Sequence, residues 1–182
     1  LAFRIYLKLF NKEQTLRSGS FLVNPSMSIS EITHILSTQS GDYYLIKVTI
    51  PEGYSIQQIT DLLDEKSIIN KEELTSYLKN DAKEDFIQNY PFLADIPYNT
   101  LEGYLFPETY YFKKDEKKET IVKVMLNEFK KNIITPYQSN ISSSKFNLHK
   151  LATLASMIEK EARSKTDMPK ISSVFYNRLN KK

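Results

Sequence analysis

The sequence predicts an α+β fold, a small strand/helix module followed by a larger mixed α/β part, over 182 residues. Three observations lead there. Two short stretches, the apolar run Gly19–Val23 and the alternating, β-branched run Tyr43–Ile50, read as strands. Each is followed within a few residues by a serine placed three positions before a Glu or Gln, the reciprocal capping pattern that opens a helix. Further along, Ile121–Ile133, Leu148–Arg163 and Asp167–Leu179 carry apolar residues at spacings of three and four, the period of a helix with one buried face.

Ala2–Phe10 has apolar residues at helical spacing. Ser28 with Glu31 caps a helix whose inner face is Ile29, Ile32, Ile35 and Leu36. Pro51-Glu52-Gly53 is the turn after the second strand, and Ser55 with Gln58 caps the next helix, with Ile56, Ile59, Leu62 and Leu63 inward. Asn70 with Glu73 starts a third capped helix reaching about Leu78. Asp85–Pro97, with Phe86, Tyr90, Phe92 and two prolines, reads as a loop holding a short helix. The seven charged residues Lys113–Glu119 read as a solvated helix entry, after which Ile121, Val124, Met125, Phe129 and Ile133 are core. Thr135–Asn147, with Pro136 and four serines, reads as a linker or exposed loop.

Composition narrows the function classes. A net charge of +3, evenly mixed with acids, gives no electrostatic footprint for nucleic acid. There is no cysteine, hence no disulfide frame or thiolate chemistry. His34 and His149 lie far apart without an HExxH pattern, so no metal site and no cofactor is expected. GxSxG, P-loop and GxGxxG patterns are absent from the sequence, and no run of about twenty apolar residues could span a bilayer.

The densest segment is Leu101–Tyr111, where aromatics, carboxylates, a glycine and a proline crowd together outside any regular period. Gly103 permits a backbone approach or a positive φ that a side chain resists, and Pro107 holds Phe106 extended. Two readings stand. The segment is the wall of a carbohydrate cleft, its aromatic faces set against the C–H surface of a sugar, with Glu102, Tyr104, Phe106, Glu108 and Tyr110 binding substrate; or it is an aromatic plug tying a loop to the core. Glu102 and Glu108 accordingly position substrate or shape the loop.

The second informative segment is Ala155–Ala162, two carboxylates within an apolar helix. At 100° per residue, Leu151, Leu154, Ala155, Ile158 and Ala162 form a stripe, and Glu159 and Glu161 fall on opposite sides of it. Glu161 lies nearer the stripe. A carboxyl held among apolar groups keeps its proton to higher pH, as a general acid must, so Glu161 is the expected acid; the alternative is a surface helix whose glutamates pair with Lys160 or Lys165. In the last helix, opened by Asp167 and Pro169, Ile171, Val174, Phe175 and Leu179 point inward with Arg178 beside them, which then needs a carboxylate such as Glu161, Glu159 or Glu102 or serves to fix the helix to its neighbour. Asn177, on the flank, is placed to meet a sugar acetamido group.

LEGYLFPETYYF, then ASMIEKEA, then SVFYNRL, in this order and spacing, resemble the YceG-like family of endolytic murein transglycosylases; GSFLVNPSMSISEITHIL and VTIPEGYSIQQITDLL extend the likeness upstream. The resemblance implies a LysM-like module over residues 1–50 and the N-terminal part of a transglycosylase domain over 51–182, continuing past the C-terminus. It implies cleavage of nascent glycan strands to 1,6-anhydro ends with Glu161 catalytic and Asn177 in the site. It further implies peptidoglycan as substrate, peptidoglycan synthases as partners, and a single-pass membrane anchor upstream of Leu1 that holds the domain on the extracytoplasmic face. The reading of another class is a non-catalytic peptidoglycan-binding or scaffold module of the cell envelope.

Overall fold

Capping side chains decide where the helices begin. In the computed structural model, which describes residues 2–10, 12–17, 21, 23, 27–38 and 45–180, Glu31 accepts from the Ser28 amide at 2.7 Å while its own amide donates to Ser28 Oγ at 3.2 Å, and Ser55 and Gln58 make the same reciprocal pair. Asn70 caps the following helix by accepting from the Glu73 amide at 3.0 Å. Each cap satisfies backbone donors that the first turn leaves without an intrahelical partner.

The chain divides into two compact units, Leu1–Ile46 and Lys47–Lys182. The first holds α1 (Ala2–Leu9), a 3₁₀ turn at Glu13–Thr15 and α2 (Ile29–Thr38). Here Leu7 is buried, the Tyr6 and Phe10 rings lie 4.6 Å apart, and the Arg17 amide donates to the Leu36 carbonyl. Of the strand expected over Gly19–Val23, Gly19, Ser20 and Leu22 lie outside the described residues, and Phe21 and Val23 have no regular structure.

The strand β1 (Ile46–Thr49) begins at the last residue of the first unit, and the second continues from it through α3 (Ile56–Glu65), α4 (Lys71–Asn80), α5 (Ala82–Ile87), a 3₁₀ turn at Pro91–Asp95 and β2 (Thr109–Phe112). It then runs through α6 (Lys118–Phe129), a π turn at Lys130–Ile134, α7 (Thr135–Ser143), α8 (Leu148–Glu161) and α9 (Met168–Asn180). The two strands pair antiparallel. The Ile50 amide donates to the Glu108 carbonyl, and the hydroxyls of Thr49 and Thr109 meet at 2.9 Å. In that register Val48 and Tyr110 face the core while Lys47 and Tyr111 face solvent. The strand ending the first module in the sequence reading therefore has its partner sixty residues downstream, in the aromatic segment.

The inward side chains of this small sheet, Val48, Tyr110 and Phe112, are buried. Leu63, Leu74, Leu93, Leu101 and Leu126 are fully buried, each contributing about 1.5–3 kcal/mol by removal from water. Thr135–Asn147 departs from expectation. The linker is helical to Ser143, because Pro136 sits in the first turn of α7, where a missing amide donor costs little, and the π turn absorbs the mismatch with α6. Of the expected α6 core, Ile121, Met125 and Phe129 are buried, whereas Val124 and Ile133 are half-buried. Among the described residues no helix is long and apolar enough to cross a membrane, and no cluster of His, Asp and Glu could hold a metal ion.

Candidate active site

The aromatic segment folds as a plug. Tyr104 is 0% exposed, its ring 5.3 Å from that of Phe129 and its hydroxyl 3.3 Å from His149 Nδ1 on α8. Burial, with Asp95 adding to it, pushes its phenol up to about 12. Tyr110 is also buried, donating to the Phe106 carbonyl at 2.6 Å, and burial foremost pushes its phenol up as well. Neither ring can stack on a sugar, and the cleft-wall role expected of Tyr104 and Tyr110 is corrected on that ground: an aromatic with no accessible face has no surface to offer. Phe106 is half-buried and Glu108 exposed, its carboxylate accepting from the next residue's amide at 2.8 Å.

Glu102 has a definite task. Both of its carboxylate oxygens accept from the Ile56 amide, at 3.1 and 3.2 Å, and so close the N-terminus of α3 from forty-six residues away. An anion at a helix N-terminus meets both free amides and the positive end of the helix dipole. Replacing Glu102 with Ala is expected to lower stability by about 1 kcal/mol, the worth of a cap; a thermal midpoint unchanged from the wild type would return Glu102 to a substrate role.

Helix α8 is held firmly at its start. Asn147 caps it by accepting from the Lys150 amide, Asp95 Oδ2 accepts from the Leu148 amide at 3.1 Å, and Leu148 and Leu154 are buried. Beyond Leu154 no α8 residue is buried, and the helix ends at Glu161. Glu161 is exposed, so the apolar surroundings expected for it are absent: the stripe it was placed beside ends with the helix, and Met157 is itself 44% exposed. Among the described residues neither Glu159 nor Glu161 forms an ion pair, so the pairing with Lys160 or Lys165 is not made.

Glu159 lies on the other side of α8. Its carboxylate reaches the turn after β1, where a Cβ added to Gly53 would stand 3.8 Å from Oε1. It also lines, with Ala155, Ile158, Met168, Pro169 and Ser172, a groove of about 460 Å³ between α8 and α9. On α9, Ile171 and Phe175 are half-buried, but Val174 and Leu179 are exposed and so is Arg178, which corrects the inward position given to them. An exposed guanidinium needs no buried counter-ion. Asn177 is exposed on the same helix.

The predicted residues are thus not gathered into one cleft. Glu161 and Asn177 lie on packed neighbouring helices, whereas Tyr104, Tyr110 and Glu102 support the elements beneath. Sequence reasoning missed that the turn Pro51–Ile56 is a meeting point: Glu102 of the aromatic segment accepts from its Ile56 amide, and Glu159 Oε1 on α8 stands 3.8 Å from where a Cβ at Gly53 would lie. The available signal was an internal echo: Glu52-Gly53-Tyr54 recurs as Glu102-Gly103-Tyr104, and both glycines adopt positive φ, +76° and +83°.

Comparison with known proteins gives these residues a setting. The sequence model of the YceG-like family matches residues 1–182. The chain is similar to the endolytic murein transglycosylase of Bacillus subtilis strain 168, 35% identical over 190 residues that take in 100% of this chain and 52% of that protein. It is likewise similar to the endolytic murein transglycosylase of Streptococcus pneumoniae serotype 2 strain D39, 35% identical over 198 residues, covering 100% of this chain and 36% of that one. Among solved structures, a YceG-like protein from Listeria monocytogenes matches at a TM-score of 0.67 and 32% identity, over 99% of this chain and 61% of that one. The chain therefore spans about half the length of the Bacillus relative and about a third of the Streptococcus one.

Proposed function

This chain belongs to the YceG-like family, and on that premise we propose that it works as an endolytic peptidoglycan lytic transglycosylase. Its substrate is the nascent glycan strand, cut between N-acetylmuramic acid and N-acetylglucosamine to limit strand length. The observation that carries this reading is that relatives bearing the name endolytic murein transglycosylase match all of this chain, the Ala155–Ala162 segment included, at 35% identity.

Glu161 is the catalytic residue in this reading. As the acid it gives its proton to the glycosidic oxygen while the bond from that oxygen to the muramoyl anomeric carbon breaks. As the carboxylate it then takes the proton of the muramoyl 6-hydroxyl, whose oxygen bonds to the same carbon. Glu161 ends protonated, as it began, and no water is consumed. A hydrolase needs a second flanking carboxylate to supply nucleophile or base, and Glu159, some 200° round the helix from Glu161, does not face the same side. Exposure at the end of α8 leaves Glu161 accessible to a polymer that cannot enter a closed pocket. Asn177, on the adjoining helix, is proposed to contact an acetamido group.

The finer parts of the proposal rest on family membership. Residues 1–50 act as a LysM-like glycan-holding module and 51–182 belong to the transglycosylase domain. The protein works on the extracytoplasmic face, held by a membrane anchor, beside peptidoglycan synthases. Mass spectrometry of glycan strands incubated with the protein tests the central claim. Anhydro ends are expected; reducing ends would make it a hydrolase, and intact strands that remain bound would make it a binding module.

A further inference from the structure

Charge is divided unevenly along the second unit. Residues 47–144 hold twelve lysines against sixteen acids, a net −4, whereas residues 145–180, which include α8, α9 and their connection, hold seven lysines and arginines against three acids, a net +4. The overall balance of +3 hides this division.

The cations of the second part have no internal partners. Lys160, Arg163, Lys165, Lys170 and Arg178 are all exposed, and among the described residues none of them makes an ion pair. Of the three acids, Asp167 accepts from the Ser164 hydroxyl at 2.7 Å, and the other two are Glu159 and Glu161. Charges that serve solubility alone are interspersed with charges of the other sign, whereas an excess of one sign attracts a ligand of the opposite one.

The cations also follow the residues assigned to the glycan. Arg163 and Lys165 lie in the connection that starts directly after Glu161. On α9, at 100° per residue, Lys170, Val174 and Asn177 fall within about 60° of one another and Arg178 about 40° further round, and all four are exposed. Two cations therefore succeed Glu161, and two flank Asn177. In peptidoglycan, muramic acid carries its peptide on the carbon next to the one that bears the acetamido group, so a peptide arm leaves the strand beside any contact made by Asn177. The arm is joined through its amino end, and its other end is a free carboxylate until it is crosslinked.

We propose that the cations of α8, α9 and their connection bind the carboxylates of uncrosslinked peptide arms, which makes the peptide-bearing strand, not the bare glycan, the preferred substrate. The inference deepens the transglycosylase reading and rests on it for the place of the site. Arg163 and Arg178 can hold a carboxylate through two parallel N–H donors, and Lys165 and Lys170 act as mobile point charges. Each exposed contact is weak and screened by salt, but a strand with many arms engages several at once.

The test compares strands with intact peptides, strands stripped of peptide by an amidase, and strands whose carboxylates have been converted to neutral amides. At low salt, KM is expected to be about tenfold lower for intact strands than for the other two, with kcat within about twofold. At about 0.5 M salt the advantage should shrink to about twofold. The double variants Arg163→Gln/Lys165→Gln and Lys170→Gln/Arg178→Gln should each lower the ratio of KM between stripped and intact strands about threefold. A merely structural role would act on both strands alike and leave that ratio unmoved. Lys130→Gln/Lys131→Gln, which removes two charges on the π turn, should leave it unmoved too. Equal KM for intact and amidated strands, or a ratio unaltered in both double variants, would overturn the proposal. Co-sedimentation of the Glu161→Gln protein with the three kinds of strand keeps the two readings apart. A salt-sensitive preference for intact strands, where the wild type cuts none of them, would sink the transglycosylase reading and leave the peptide contact standing; cleavage without any preference would do the reverse. Attachment to phosphatidylglycerol vesicles that the double variants lose, with no preference among strands, would give the cations to a membrane surface and overturn the peptide contact.

Discussion

Glu161→Gln is expected to leave the protein folded and to cut glycan cleavage by roughly 10²–10⁴-fold, the usual worth of a positioned general acid–base group. Glutamine matches glutamate in size but offers no proton acidic enough to give to a glycosidic oxygen and no carboxylate to take one from the 6-hydroxyl. The substitution lies at the exposed end of α8, where a change away from the core alters stability by no more than about 0.5 kcal/mol. Quantifying 1,6-anhydro ends beside a thermal melt separates the two effects. Retention of more than a tenth of wild-type turnover in a normally folded variant would take the acid role from Glu161.

Truncating Tyr104 should have the largest effect on stability. Its ring is fully buried against Phe129, and Tyr104→Ala leaves a cavity of aromatic size, costing about 3–5 kcal/mol. That is a large fraction of the 5–15 kcal/mol by which a domain of this kind is stable. Tyr104→Phe keeps the packing and removes only the hydrogen bond to His149, for about 1 kcal/mol. Chemical denaturation of both variants checks the order. If Tyr104→Ala were as stable as the wild type but bound glycan poorly, the ring would be a sugar platform after all.

The same burial makes an alkaline prediction. Tyr104 is raised to about 12 and Tyr77, Tyr90 and Tyr110 are raised too, burial being the foremost cause in each. An unfolded phenol ionises near pH 10, so the unfolded chain releases these protons first. The stability the four neutral tyrosines contribute is complete below about pH 10 and declines as pH rises toward their folded values. Tyrosine absorbance followed through an alkaline titration should show these phenols ionising together with unfolding. Ionisation near pH 10 with the fold retained would contradict their burial.

What could be read from the residues was local. Ser28, Ser55 and Asn70 announce helix starts because a cap is made by side chains three residues apart, and the apolar periods of α3, α6 and α8 follow from the helix itself. The α+β class and the location of the two motif segments came from the same kind of evidence. Thr135–Ser143 was misread because proline and serine disfavour a helix interior yet suit the start of one, and the preceding π turn leaves no mark in the composition.

Long-range pairing was decided by the tertiary structure alone. That β1 pairs with β2, that Glu102 caps a helix begun forty-six residues earlier, and that Tyr104 turns into the core rather than out to solvent depend on contacts between segments with no shared period. The residues alone place Glu159 and Glu161 on one helix, because the apolar period that marks α8 runs through them. The exposure of Glu161, and the turn of α8 that sends Glu159 to Gly53, were settled only when the helix packed, because the direction a side chain takes depends on what its neighbours leave open.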